Sequence, residues 1–337
     1  MLSDTNAENR KKDHIELAFQ SQVENVQNDP RFYYEPLLSE HPTSISLQKT
    51  FVGRKLQMPL WISSMTGGTQ LAGKINHNLA KACNEFGIGM GLGSCRRLLY
   101  DDTFFNDFNL RPVIGKDLPF YANLGIAQIE KSIADNQVDE IKKLVDKLQA
   151  DGLIIHVNPM QEFLQPEGDR FKNPPLHTIQ QFLNLVDFPV IVKEVGQGMG
   201  PESLKALLQL PIVAIDFGAY GGTNFSKVEL LRSSDEKNIA FDNLMYVGHT
   251  AQDMINFVND AINELGEKVL CKEIIVSGGI KNFLDGYYYM HKLNLNSIYA
   301  QGSAFLKYAQ NSYEELKTYI ESQRDGLALC GAYLKVK

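Results

Sequence analysis

Cysteine is scarce in this chain of 337 residues, and its four occurrences, Cys83, Cys95, Cys271 and Cys330, form neither a CxxC pair nor a compact metal-binding spacing. That argues against a disulfide framework, and a reducing, cytoplasmic setting fits best. Long apolar runs are missing as well: polar or charged residues interrupt each one well short of the ~18 residues that a membrane-spanning helix needs. The opening MLSDTNAENRKKDH lacks the apolar centre of a targeting segment. Positive charge is in deficit, with 33 Lys and Arg against 40 Asp and Glu, a formal charge of -7 and an isoelectric point near 5.6. Such a chain has no general attraction for nucleic acid or an anionic membrane, although a local anion site stays open. The remainder is ordinary: 44% hydrophobic and 22% charged residues with 26 glycines, which excludes disordered, collagen-like and coiled-coil architectures.

From Met58 onward, eight short β-rich runs recur: MPLWISS, GIGMGLG, PFYANL, GLIIHVN, PVIVKEV, PIVAIDF, EIIVSGG and NSIYAQG. Their almost continuous apolar character suits strands covered on both faces, and amphipathic stretches such as QVDEIKKLVDKLQ and AQDMINFVNDAI separate them. A doubly wound sheet would place one crevice at a topological switch, whereas polar residues at almost every strand end suit a closed (β/α)8 TIM barrel. The expected organisation is an N-terminal extension over 1–57 and a barrel over 58–337. The extension contains DHIELAFQSQVE and the turn-rich PRFYYEPLLSEHPTS, suited equally to subunit packing and to closure over a substrate. The stretch from Arg232 to Tyr246, with its SSDEKN, reads as a long loop of limited helical content placed to cover the active site.

The strand ends carry the chemistry. Ser63-Ser64-Met65-Thr66-Gly67-Gly68 combines hydroxyls with glycines that allow close backbone approach, though a plain turn would use the same residues. Gly89-Met90-Gly91-Leu92-Gly93-Ser94 runs into Cys95-Arg96-Arg97, small residues beside cations suited to an oxyanion, without Walker or Rossmann spacing. Asn123 ends the third strand, and His156 and Asn158 precede Met160-Gln161-Glu162 after the fourth. Singly, each is compatible with a core histidine, a turn former or a salt-bridge partner. Lys193 either neutralises Glu194 or, if strand alternation turns it into the barrel, stabilises an electron-rich cofactor atom or a substrate anion; the second reading is preferred. Asp216-Phe217-Gly218-Ala219-Tyr220-Gly221-Gly222-Thr223, Ser277-Gly278-Gly279 and Gly302-Ser303 complete an arc where a barrel holds phosphate through backbone amides.

Taken together, Arg10-Lys11 with Asp13-His14, Met65-Thr66-Gly67-Gly68, Gly93-Ser94 with Arg96, Ala122-Asn123, His156-Val157-Asn158-Pro159-Met160-Gln161-Glu162, Lys193-Glu194-Val195-Gly196, Gly221-Gly222-Thr223 and Ser277-Gly278-Gly279 resemble type 2 isopentenyl diphosphate isomerase. The resemblance covers most of residues 10–309. It implies an FMN-dependent TIM barrel in a homo-oligomer, a homotetramer in the family picture, interconverting isopentenyl diphosphate and dimethylallyl diphosphate without net redox. Reduced FMN then serves as acid or base, Mg2+ offsets the diphosphate charge, and NADPH or NADH keeps the flavin reduced. By the same resemblance, FMN contacts fall to Ser64, Met65, Thr66, Gly67, Ser94, Asn123, Lys193, Thr223, Gly278, Gly279, Gly302 and Ser303. Substrate contacts fall to Arg10, Lys11, His14, Ser94, Arg96, His156, Asn158 and Gln161, and Glu162 binds the metal. Lys193, His156 and Gln161 form the implied catalytic set.

Three positions depart from the family pattern. Cys95 stands where glutamine often precedes the substrate-binding arginine, Gly218 stands where some relatives have serine, and AQGSAFL lacks the frequent proline before FL. Two other readings compete: another FMN-dependent TIM-barrel oxidoreductase, and a flavin- or phosphate-binding regulator without turnover. The first lacks support from an SNHGG-type histidine or a cysteine-centred catalytic loop.

Overall fold

The computed structural model describes residues 7–42, 46–64 and 69–337. Each of the eight apolar runs contains one strand: β1 Leu60–Ile62, β2 Gly89–Gly91, β3 Phe120–Gly125, β4 Gly152–Val157, β5 Val190–Glu194, β6 Ala214–Asp216, β7 Glu273–Val276 and β8 Asn296–Gln301. All neighbours pair in parallel, and β8 returns to β1, so the sheet is a closed barrel. Helices cover its outside. β3 and β5 are buried at every residue, which is why their sequences show no apolar–polar alternation and their few polar residues, Asn123, Lys193 and Glu194, are themselves buried.

Register builds the site directly. His156 on β4 lies opposite Lys193 on β5, and Lys193 lies opposite Asp216 on β6. Partners in a parallel ladder share a face, so one rung near the C-terminal rim carries an imidazole, an ammonium and a carboxylate.

The opposite end is closed by aromatic packing and by an ion pair. The hairpin of Lys49–Phe51 and Arg54–Leu56 buries Phe51 and Leu56 completely, and Phe51 meets Trp61 edge-on at 6.3 Å between ring centroids. Beside it, the buried Arg111 guanidinium bonds Asp151 Oδ2 at 2.8 Å and the carbonyls of Gln149, Gly115 and Leu118. Asp151 also accepts from the Phe120 amide at 2.9 Å and from Arg54 at 2.7 Å, tying the starts of β3 and β4 together.

At the N-terminus the helix Ala7–Leu17 is exposed, with Ile15 at 73%. Phe32–Tyr34 pairs antiparallel with Leu334–Val336, and Arg31 bridges Asp29 and Asp285. Residues 232–246 differ from the expected loop: they form a helix over Asp235–Phe241 and a 3-10 turn over Asp242–Tyr246. Ser234 caps the helix by accepting from the Lys237 amide, and Asp235 and Glu236 in the first turn suit its dipole, so the polar SSDEKN string is a helix start. Met245 then anchors the segment against Leu164 and Leu230.

Arg111→Ala removes one member of a buried pair and leaves Asp151 and three carbonyls short of donors. Urea unfolding at pH 7 is expected to show a loss of about 3–5 kcal/mol; a loss under 1 kcal/mol would contradict this role.

Candidate active site

Lys193 is buried at the barrel mouth, with Nζ 2.6 Å from the Glu194 carbonyl oxygen and 3.9 Å from Asp216 Oδ2. At that distance, and an effective dielectric near 20, the ion pair is worth on the order of 4 kcal/mol before desolvation. Glu194 is not its partner: Oε2 accepts from the amides of Gly196, Gln197 and Gly198 at 2.6, 2.7 and 2.8 Å. Burial pushes the Glu194 carboxyl upward while those amides oppose the shift. Burial likewise raises Asp216, against the pull of Lys193 and the hydrogen bond from Ser277. Burial, assisted by the charge on Lys193, brings His156 down to about 4. The imidazole is therefore neutral near pH 7. Its Nδ1 lies 2.6 Å from Asn123 Oδ1, so Nδ1 donates to that oxygen and Nε2 keeps its lone pair.

Lys193 lines two adjacent cavities, which also share Ser64, Val195 and Phe225. The larger, about 460 Å³, is lined by Ser64, Lys193, Thr223, Gly278, Gly279, Gly302 and Ser303 among others. The smaller, about 140 Å³, is lined by Ser64, Ser94, Asn123, His156, Gln161 and Lys193. The buried hydroxyls of Ser63 and Ser64, both on the wall of the larger cavity, have no hydrogen-bond partner among the described residues. The rim of the larger cavity is backbone. Gly278 has φ +86, and a Cβ there would lie 2.0 Å from the Ala219 carbonyl oxygen. The helix Ser303–Asn311 starts on the same rim with no side-chain cap, beside Lys281 and Lys307. Free amides, a helix start and two ammonium groups favour a phosphate there, while Lys193 at the other end suits an electron-rich ring. This donor set fits FMN.

A third cavity of about 290 Å³ adjoins, lined by Asn158 and Gln161. Asn158 Nδ2 donates to Gln161 Oε1 and to Glu162 Oε1, both at 3.1 Å. Glu162 Oε2 accepts from the Asp169 amide at 2.7 Å, and Arg96 pairs with Asp169 at 2.9 Å. Gln161 Nε2 donates to the buried Glu229 at 3.1 Å, and Arg232 pairs with Glu229.

The fold thus gathers Ser64, Ser94, Asn123, His156, Gln161, Lys193, Thr223, Gly278, Gly279, Gly302 and Ser303 around two adjacent cavities, with Asn158 and Glu162 adjoining. Arg96 stands at the edge, half exposed. Arg10, Lys11 and His14 lie on the exposed helix Ala7–Leu17, and no described residue of 7–57 lines any of the three cavities. Met65, Thr66 and Gly67 fall outside the described residues. Asp169 and Glu229 escaped the sequence reading. Glu229 had a signal: with Ser226 and Leu230 it occupies the buried i, i+3, i+4 stripe of the helix Phe225–Leu231, an unusual place for a carboxylate.

No family model matches the chain. It is 33% identical over 342 residues to an isopentenyl-diphosphate delta-isomerase of Rickettsia peacockii (strain Rustic), covering 98% of this chain and 96% of that protein. The enzyme of the same name from Rickettsia rickettsii (strain Sheila Smith) is 34% identical with the same coverage. Among solved structures, a flavocytochrome b2 with sulfite bound superposes with a TM-score of 0.61 at 13% identity, over 90% of this chain and 72% of that one. A mandelate oxidase with a monooxide FMN adduct gives 0.54 at 13%, over 91% and 88%. Those superpositions speak for the TIM barrel alone. Identity of a third along nearly the whole of both sequences is a different matter, and by it the chain belongs to the isopentenyl-diphosphate delta-isomerase family.

Proposed function

We propose that the chain interconverts isopentenyl diphosphate and dimethylallyl diphosphate with reduced FMN in the larger cavity and the allylic carbons in the smaller one. The observation that carries this reading is Lys193, a buried cation shared by both cavities. FMN, when bound and reduced, supplies acid and base groups that shift a double bond without net electron transfer. NADPH or NADH is the reductant.

The chain's own groups then divide the work. Lys193 stabilises negative charge on the reduced ring from a fixed position that needs no reorganisation. His156, neutral and oriented by Asn123, offers Nε2 as an acceptor without adding a second positive charge beside Lys193. Gln161 is held from both sides, by Asn158 and by Glu229, so its amide is a rigid hydrogen-bonding wall at the substrate pocket. Arg96, with Arg10, Lys11 and His14 from the N-terminal segment, takes the diphosphate, for which the arginine fork is suited. The exposed apolar residues Ile15, Leu17 and Phe19 suit coverage by a second copy, in keeping with a homo-oligomer such as a tetramer.

For Mg2+ the reading assigns Glu162, with Asp169 and Glu229 as the other carboxylates of its hydrogen-bond network, and no group of three His, Cys, Asp or Glu ligands exists among the described residues. A magnesium ion that keeps several waters and takes its other ligands from phosphate oxygens needs only one or two carboxylates. Glu162 fits that mode, binding metal together with the diphosphate. The four buried free cysteines and the lack, among described residues, of a helix long and apolar enough to cross a membrane accord with a cytoplasmic enzyme.

Anaerobically reduced, FMN-loaded protein with Mg2+ should isomerise isopentenyl diphosphate with no stoichiometric NAD(P)H consumption after the first reduction, measured by separating substrate and product. Lys193→Met should lower kcat by about 10²–10³-fold. Absence of product from folded holoenzyme rejects the assignment, and stoichiometric oxidation of NAD(P)H selects the oxidoreductase reading. For the metal, Mg2+ alone should leave the thermal midpoint unchanged, whereas Mg2+ with isopentenyl diphosphate should raise it above either ligand singly; the increment should vanish in Glu162→Gln.

The depressed pKa of His156 also sets a pH dependence. Its folded value of about 4 lies below the unfolded 6.5, so the unfolded state binds more protons between those limits. Stability should therefore be intact above pH 6.5 and fall by about 3 kcal/mol as pH drops toward 4. Urea midpoints at pH 7.5, 6 and 5 test this, with a flatter profile expected for His156→Gln.

A further inference from the structure

Asp216 ends β6 as a wholly buried carboxylate with an asymmetric environment. Oδ1 accepts from the Ser277 hydroxyl, and that hydroxyl in turn accepts from the Gly218 amide at 2.8 Å. The serine is thereby locked: its one proton is committed to Asp216. Oδ2 has no hydrogen-bond partner among the described residues. A buried carboxylate oxygen left without a donor is costly, and a native fold keeps such a group where something else depends on it. Here Oδ2 faces Lys193 Nζ at 3.9 Å, beyond hydrogen-bond reach and well within Coulombic reach. The other carboxylate on this rung's neighbourhood, Glu194, is turned away and satisfied by three amides, and His156 is neutral.

We propose that Asp216, clamped by Ser277, is the positioning residue for Lys193, holding its ammonium on the wall shared by the two cavities and setting how much positive charge the flavin experiences. The inference rests on the reading of the larger cavity as the FMN site. A hydrogen bond from Lys193 to Asp216 would draw the ammonium into the barrel and spend its charge there. The longer separation restrains Nζ while leaving donor capacity for a ligand. The Ser277 clamp maintains that separation, because Oδ1 cannot rotate toward Lys193 without losing its donor. Without the carboxylate, the full charge of Lys193 acts on the cavity in a dry setting, and the negatively charged reduced flavin gains most.

The test is the midpoint potential of bound FMN, measured by anaerobic dye-coupled titration on wild type, Asp216→Asn, Ser277→Ala, Lys193→Met and the Lys193→Met/Asp216→Asn double variant. Asp216→Asn should raise the ratio of reduced to oxidised FMN affinity at least tenfold, equivalent to about 30 mV for the two-electron couple. Ser277→Ala should shift it the same way by less. In the Lys193→Met background the Asp216→Asn shift should disappear. Wild-type protein that does not bind FMN would overturn the reading of the cavity. FMN binding with an unchanged potential in Asp216→Asn, or a shift that persists without Lys193, would overturn the inference alone. Should Asp216→Asn fail to fold, an unchanged potential in Ser277→Ala has the same force.

Discussion

A single ammonium group, buried at the mouth of a barrel whose net charge is negative, is the constraint around which the site is arranged. Desolvating Lys193 is expensive, and the fold offsets the cost with one carbonyl at hydrogen-bond distance and one carboxylate slightly beyond it. That compensation is incomplete by design of the geometry: an ammonium has three donors, and the structure commits one of them to Glu194. His156 follows from the same charge. Burial on the adjacent strand already disfavours a protonated imidazole and the Lys193 charge adds to that, so the histidine acts as a neutral hydrogen-bonding group. The overall charge of -7 thus says little about the interior of the mouth, where the local balance is decided by three side chains on three consecutive strands.

Much of this is legible in the sequence itself. The eight strands were readable because each is buried on both faces and so has no polar alternation to disguise it. Lys193 stood out because a lysine within such a run contradicts its surroundings. The direction of Glu194 could also be anticipated, since neighbours on a strand face opposite ways. Partnerships across the chain were not readable. Asp216 is separated from Ser277 by some sixty residues, and nothing local distinguishes it from any acid at a strand end. Asp169 likewise acquires its meaning from Arg96 and Gln128, which the barrel brings to it, and from Glu162 in its own β4–β5 connection. The segment at 232–246 misled for a different reason: its serine and acids are a helix-start signal, but the seven-residue helix is too short to be secured locally, and the deciding contact, Met245 against Leu164 and Leu230, is tertiary.

Two of the departures from the family pattern find physical explanations. Gly218 has φ +53, and a Cβ would lie 2.1 Å from the Glu194 carbonyl oxygen, so this backbone leaves no room for the serine of some relatives. Its amide contributes instead, by holding Ser277. Cys95 is turned into the core, with Sγ 3.5 Å from the Gly93 carbonyl oxygen and burial raising the thiol to about 12. It is neither a nucleophile at neutral pH nor a lining residue of the cavities, and the contact that glutamine would supply there is absent from this chain's repertoire.

The short sheet that joins Phe32–Tyr34 to Leu334–Val336 bears on how the molecule comes into being. Its two strands are roughly 300 residues apart, close to the largest separation this sequence permits. During synthesis the β/α units can form in order as they emerge, each closing contacts with a recent neighbour. The pairing of Phe32–Tyr34 with Leu334–Val336 needs residues made after all eight barrel strands, whereas the Arg31 bridge to Asp285 can form earlier, so the N-terminal segment docks in two stages. A barrel truncated by a few residues at its C-terminus would retain its eight strands and the larger cavity, yet leave the segment that carries Arg10, Lys11 and His14 held by the Arg31–Asp285 bridge without its strand pairing.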